Sequence, residues 1–140
     1  MQAETVNEIF NINNLATFDA TLSKVFSFQL NNNLLYAQWC NNIHHQQKKD
    51  LTSTQIPFLP ISFFKSHTVI SDNLPILFDF FSSGTTGMIR SKHVVQKAEM
   101  YERSFNAIYN EYIGNPLDQV ILALLPNYIE QGNSSLVYMV

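Results

Sequence analysis

At 140 residues the chain has the size of one ordinary domain, and 46% hydrophobic with 13% aromatic content excludes a disordered segment, which would bury too little to offset its ordering entropy. A net charge of −3, from eight Lys and Arg against eleven acids, excludes general attraction to nucleic acid or anionic membrane. A single cysteine, Cys40, excludes an internal disulfide framework and suits a reducing compartment.

The N-terminal stretch MQAETVNEIFNINN has no basic start and no apolar core, so it does not read as a secretory signal. No apolar run approaches the ~20 residues that span a bilayer, and the expectation is a soluble cytoplasmic protein. Residues 1–15 read as a polar, loosely ordered lead-in, and residues 16–140 as the folded part. From Thr17, a candidate N-cap, apolar Phe18, Leu22, Val25, Phe26 and Leu30 recur at helical spacing. The tract Asn31-Asn32-Asn33 should break that helix, and a second, shorter one follows through Leu35, Trp39 and Ile43.

Residues 44–55 are polar and read as a loop. In IPFLPISFFKSHTVI, Pro57 and Pro60 forbid a regular central strand or helix, so an extended segment packed on its Phe residues is expected. Leu77 to Phe81 reads as a strand and Lys92 to Val95 as its hairpin partner across a wide loop. Ala98, Tyr101, Phe105, Ile108 and Tyr112 mark a helix, supported by Glu99 and Arg103 four residues apart and stopped by Gly114, Asn115 and Pro116. The apolar run from Val120 to Leu125 reads as a buried strand, and Ser134 as the cap of a helix running LVYMV. That helix meets the chain end at Val140, which suggests a larger parent domain. The fold class expected is α/β: N-terminal helices, then a small mixed sheet with flanking helices.

The stretch FDFFSSGTTGMIRSKHVV carries the chemistry. Ser82, Ser83, Thr85 and Thr86 place four hydroxyls around Gly84, and Gly87 closes the turn. Glycines permit positive φ and let backbone N–H groups converge, so hydroxyls and amides together form a neutral donor cage suited to phosphate oxygens. Between Phe80 and Ala98 stand Arg90, Lys92, Lys97 and His93, with no acid. The pattern is not a Walker A loop, which needs four residues between its glycines and a Lys-Ser/Thr pair after the second. On composition alone, a Ser/Thr-rich hairpin loop with incidental charge remains the alternative.

The order SSGTTGMIR resembles the signature of AMP-forming adenylating enzymes, written Ser/Thr-Ser-Gly-Thr-Thr-Gly, any residue, Pro, Lys. Ser82, Ser83, Gly84, Thr85, Thr86 and Gly87 match without a gap, and Met88 falls at the free position. Ile89 replaces the usual Pro, and Arg90 stands where Lys is usual. Either Arg90 or Lys92 would then supply the phosphate charge. Ile56-Pro57-Phe58 with Lys65 is similar to the N-terminal part of phenylacetate–CoA ligases. PFLPISFFKSH, SSGTTG with SKH, and LLPNYIEQGNSSLVYMV resemble the bacterial bioluminescence acyl-protein synthetases and their acyltransferase relatives more closely. The likeness runs from about Thr17 to Met139 and implies part of the large N-terminal domain of an adenylate-forming enzyme.

By that resemblance the loop would hold the phosphates of ATP while a carboxylic acid, expected to be fatty, attacks the α-phosphorus. The acyl group would then pass to a thiol of CoA, a carrier protein or an enzyme cysteine. Magnesium ligands, the adenine segment and the catalytic lysine of such enzymes find no match in these residues, so the 140 residues alone should not complete the reaction. The alternative is a non-catalytic binding or assembly module that keeps the loop, with a homo-oligomeric or missing-lobe contact burying its open edge.

Other candidates have plainer readings. Cys40 on an apolar helix reads as a buried core thiol. His44-His45 lacks further ligands at useful spacing, so no metal site is expected. His93 could border the nucleotide or sit as a strand-end surface histidine, and Tyr128 could border an acyl pocket or simply pack. Lys65 reads as a solvated lysine. Phe63-Phe64 and Phe78 to Phe81 should be core, and a nucleic-acid stacking platform would need many more basic groups around them.

Overall fold

A computed structural model describes residues 1–43, 52–83, 89–124 and 133–140. Its contacts divide the chain into two units, Met1–Phe63 with Val69–Leu74, and Phe64–Thr68 with Pro75–Val140. Among the described residues it is a mixed α/β protein with six α-helices and a two-stranded antiparallel sheet. None of these helices is long and apolar enough to cross a membrane.

The first unit is helical: α1 spans Ala3–Phe10, α2 Leu15–Asn32 and α3 Leu34–Asn42. The first of these is a difference from the loosely ordered start expected for residues 1–15. Val6, Ile9 and Phe10 lie at helical spacing within that polar stretch, and Glu8 pairs with Lys24 of α2. The N-terminal ammonium also lies 3.6 Å from Asp72.

Helix α2 begins earlier than expected. Its N-cap is Asn14, whose Oδ1 accepts from the Thr17 amide at 2.9 Å. Thr17 is the third helical residue, and its Oγ1 accepts in return from the Asn14 amide at 3.3 Å. This reciprocal pair satisfies two amides that the first turn leaves without helical acceptors. Asparagine also ends the helix, because its short amide competes for backbone groups. Asn33 leaves helical geometry at φ −116° and ψ 97°, and its Oδ1 caps α3 through the Tyr36 amide at 3.1 Å.

Phe26, Tyr36, Cys40 and Ile56 form the core of this unit, with Leu22, Leu30, Trp39 and Leu59 packed against it. Tyr36 meets Phe26 edge to face at 6.1 Å between ring centroids and donates its hydroxyl to the Pro57 carbonyl at 2.7 Å. Cys40 is 1% exposed, as a core thiol should be. The Pro57–Pro60 segment is irregular, but it anchors through Ile56 and Leu59, whereas Phe58 is 68% exposed. Phe63 stacks edge-on with Trp39 at 5.5 Å. A single helical turn, α4 (Phe63–Ser66), stands where only extended chain is expected. Residues 44–51, including His44 and His45, lie outside the described residues.

In the second unit, β1 (Phe78–Phe81) pairs with β2 (Lys92–Val95) in the register Phe78 with Val95 and Phe81 with Lys92. Helix α5 spans Ala98–Tyr112, a 3-10 turn covers Pro116–Asp118, and α6 spans Ser135–Met139. Gly114 adopts φ 115°, which lets its amide return to the Tyr109 carbonyl at 3.1 Å and end α5. Ser134 caps α6 through the Val137 amide at 3.5 Å. Strand side chains alternate between faces. Phe78 and Phe80 therefore share one face, where Tyr138 lies 4.9 and 5.5 Å from them and Tyr101 lies 5.3 Å from Phe80. Phe105 completes this aromatic cluster, 5.6 Å from Tyr101.

The buried strand expected over Val120 to Leu125 does not form in its described part. Residues 120–124 have no regular structure, with Val120 88%, Leu122 91% and Leu124 100% exposed. A strand is held by a ladder partner, and none of the described residues pairs with this run. Among the described residues the sheet is accordingly antiparallel rather than mixed.

Candidate functional site

The Ser/Thr/Gly run leaves β1 and returns into β2. The described residues on either side of it meet in a neck built on Ser82. The Ser82 amide donates to the Ser91 carbonyl at 2.9 Å, and the Ser91 amide donates to Ser82 Oγ at 2.9 Å. Arg90 Nε donates to the Ser82 carbonyl at 2.6 Å. Accepting one bond leaves the Ser82 hydroxyl with its proton and a second lone pair, so it can still donate to a ligand oxygen. On the outer side of β1 the Phe81 amide donates to the Asn133 carbonyl at 3.1 Å, which fixes the strand just before the loop.

Gly84, Thr85, Thr86 and Gly87 lie outside the described residues, as do Met88 and Tyr128. Ser83 is exposed beside the neck. Arg90 is also exposed, and its guanidinium carbon stands 5.5 Å from the centroid of the Phe81 ring. That is a cation–π distance.

Lys92 is placed differently. Its Nζ lies 2.9 Å from Asp79 Oδ2, with side-chain exposures of 32% and 24%. Lys92 sits opposite Phe81, and Asp79 opposite Val94, so the pair is a diagonal contact on one face of the hairpin. The basic stretch after Phe80 therefore has an acid partner one residue before it. His93 is exposed and turns to the other face, with its ring 6.2 Å from Tyr101. Lys97 is exposed and precedes α5, and Lys65 is exposed on α4.

Asp79, Phe81 and Ser91 are the participants the sequence does not single out. Hairpin alternation would reveal Asp79, because residues two apart on a strand share a face, but only once the register is known. Elsewhere in the unit, Tyr138 donates to Glu102 Oε1 at 2.7 Å, and this bond to a carboxylate raises its pKa.

The described donors fit an oxyanion: a hydroxyl proton, a guanidinium and the exposed Ser83 beside them. No group of three or more His, Cys, Asp or Glu among the described residues could hold a metal ion. In comparisons with known protein families, characterised proteins and solved structures, nothing matches the chain.

Proposed function

We propose that this chain supplies the phosphate-binding loop of an AMP-forming enzyme that activates a carboxylic acid of the fatty class and transfers the acyl group to a thiol. The observation that carries the reading is the unbroken run Ser82–Gly87, placed in sequence between two paired strands, with Ser82 bonded to Arg90 and Ser91. The carboxylate would displace pyrophosphate from ATP, carried with magnesium on its phosphates, to give an acyl-adenylate whose carbonyl is electrophilic, and AMP would leave when the thiol attacks. The residues here would bind and orient the triphosphate, where donors placed in advance stabilise charge at phosphorus without reorganising. The acyl acceptor would be CoA, a carrier-protein thiol or an enzyme cysteine outside these 140 residues.

A second reading, a binding or assembly module without turnover, is favoured by the uncovered apolar side chains of residues 120–124, since exposed apolar patches mark contact surfaces.

Calorimetric titration of ATP and of pyrophosphate, each with magnesium, tests the first reading. The chain should bind both, and Gly84→Val should weaken binding by about tenfold or more, the factor that follows from losing ~1.4 kcal/mol. Absence of binding by the parent chain would sink the phosphate-loop reading. Binding without acyl-adenylate formation, even after adding back the remainder of a longer parent protein, would favour the module.

A further inference from the structure

Residues 120–124 are uncovered in their backbone as well as in their side chains. We infer that this run pairs with the same run of a second copy of the chain, as two antiparallel strands related by a twofold axis at Leu122. The pairing is independent of whether the loop binds phosphate.

The backbone is ready for a ladder. Gln119 leads into the run in extended geometry, at φ −129° and ψ 151°. Among the described residues, no backbone N–H or C=O of residues 120–124 takes part in a hydrogen bond. Free amides and carbonyls along an extended apolar run form a template for strand addition. The side chains alternate to match: Val120, Leu122 and Leu124 are 88%, 91% and 100% exposed, whereas Ile121 is 46% exposed.

The sheet of the same unit is a poor acceptor for this run. On β1 the outward Phe81 amide already donates to the Asn133 carbonyl. The other edge, β2, has four residues and carries Lys92 and His93, the short, charged kind of edge that resists further pairing. The run itself has no such guard: Gln119 to Leu124 holds no charge, proline or glycine.

Those features suit an identical partner and set its direction. Antiparallel pairing about Leu122 places Leu122 against its own copy, Val120 against Leu124 and Ile121 against Ala123, apolar on apolar throughout. The nearest charge in sequence is Asp118. At ~3.4 Å per residue its two copies then lie at opposite ends of the ribbon, more than about 20 Å apart and beyond the range of screened repulsion. Parallel pairing in register would instead bring the two Asp118 carboxylates side by side, a like-charge contact that destabilises neighbouring strands.

Sedimentation velocity from low micromolar to several hundred micromolar protein tests the pairing in the parent chain, Leu122→Glu and the double variant Val120→Lys/Leu124→Glu. Urea melts at the lowest concentration establish that each variant is folded. The replaced side chains already lie in water, so the midpoints should match that of the parent. The parent should show a reversible monomer–dimer equilibrium. Leu122→Glu sets two carboxylates face to face on the axis and should weaken the dimer by about tenfold or more. In the double variant each introduced ammonium faces an introduced carboxylate of the other copy. Its dimer should stay within about threefold of the parent's and weaken as salt is added.

A parent chain that stays monomeric across the series would overturn the proposal. So would a dimer untouched by Leu122→Glu, which would lie on another surface. A double variant as dissociated as Leu122→Glu would overturn the antiparallel register.

Discussion

The hydroxyl of Tyr36 donates to the carbonyl oxygen of Pro57 across 2.7 Å, joining α3 to the proline-rich segment 21 residues later. Tyr36 is 8% exposed and packs on Phe26, so solvent offers the Pro57 carbonyl little replacement once that hydroxyl is gone. Tyr36→Phe keeps the ring and removes only the donor. It should lower stability by about 1–2 kcal/mol, the cost of leaving a shielded acceptor unpaired. Urea denaturation read by far-UV circular dichroism measures this. A loss below the error of extrapolation would mean that water reaches Pro57.

The same phenol makes stability depend on alkaline pH. Burial raises its pKa above the ordinary 10.0, and the neighbouring Cys40 adds to the rise. A tyrosine whose folded pKa is raised contributes stability in full below its unfolded value. That contribution is lost as pH climbs from there toward the folded value. The urea midpoint should therefore fall as pH rises above about 10, and Tyr36→Phe should flatten the fall. Tyr138 shifts in the same direction through Glu102 but is well exposed, so Tyr138→Phe should alter the profile less. Equal profiles for parent and Tyr36→Phe would assign the alkaline loss to other groups.

Cys40 should be nearly inert toward thiol reagents in the folded chain. It is 1% exposed, and burial pushes its thiol up in pKa, although a bond with Tyr36 partly offsets this. The reactive species is the thiolate, so both access and ionisation are suppressed. Modification by an aromatic disulfide should track opening of the unit and accelerate steeply across the urea transition. A fast reaction in native buffer would contradict the burial.

Much of this fold is legible in the sequence, and the portions that are not share a cause. Helix α5 could be read because its apolar residues keep strict helical spacing up to a glycine that adopts positive φ. The hairpin strands could be read because short apolar runs stop abruptly at polar residues. Helix α1 was masked by its polar composition, although Val6, Ile9 and Phe10 carry the period. For residues 120–124 the run is apolar enough for a strand, but composition does not specify a ladder partner. At the candidate site, the loop motif and both cations are local and visible. The Asp79–Lys92 pair and the neck on Ser82 depend on register and turn geometry, which side-chain identity alone does not disclose.

Residues 120–124 offer the sharpest contrast between a sequence expectation and the observed packing. If Leu122 and Leu124 belonged to a buried strand, replacing each with Asn would remove a core side chain and bury an amide, at a cost in the range of about 2–5 kcal/mol. Their exposures of 91% and 100% imply instead that the chain already holds them in water. Leu122→Asn and Leu124→Asn should each change stability by no more than about 0.5 kcal/mol, as ordinary surface substitutions do. Phe80, at 5% exposure beneath Tyr101 and Tyr138, is the control: Phe80→Ala should cost about 3–5 kcal/mol. Urea melts of the three variants at low protein concentration make the comparison, since dilution removes any gain from self-association. A large loss at Leu122 or Leu124 under those conditions would show that the run is packed in solution and would restore the strand.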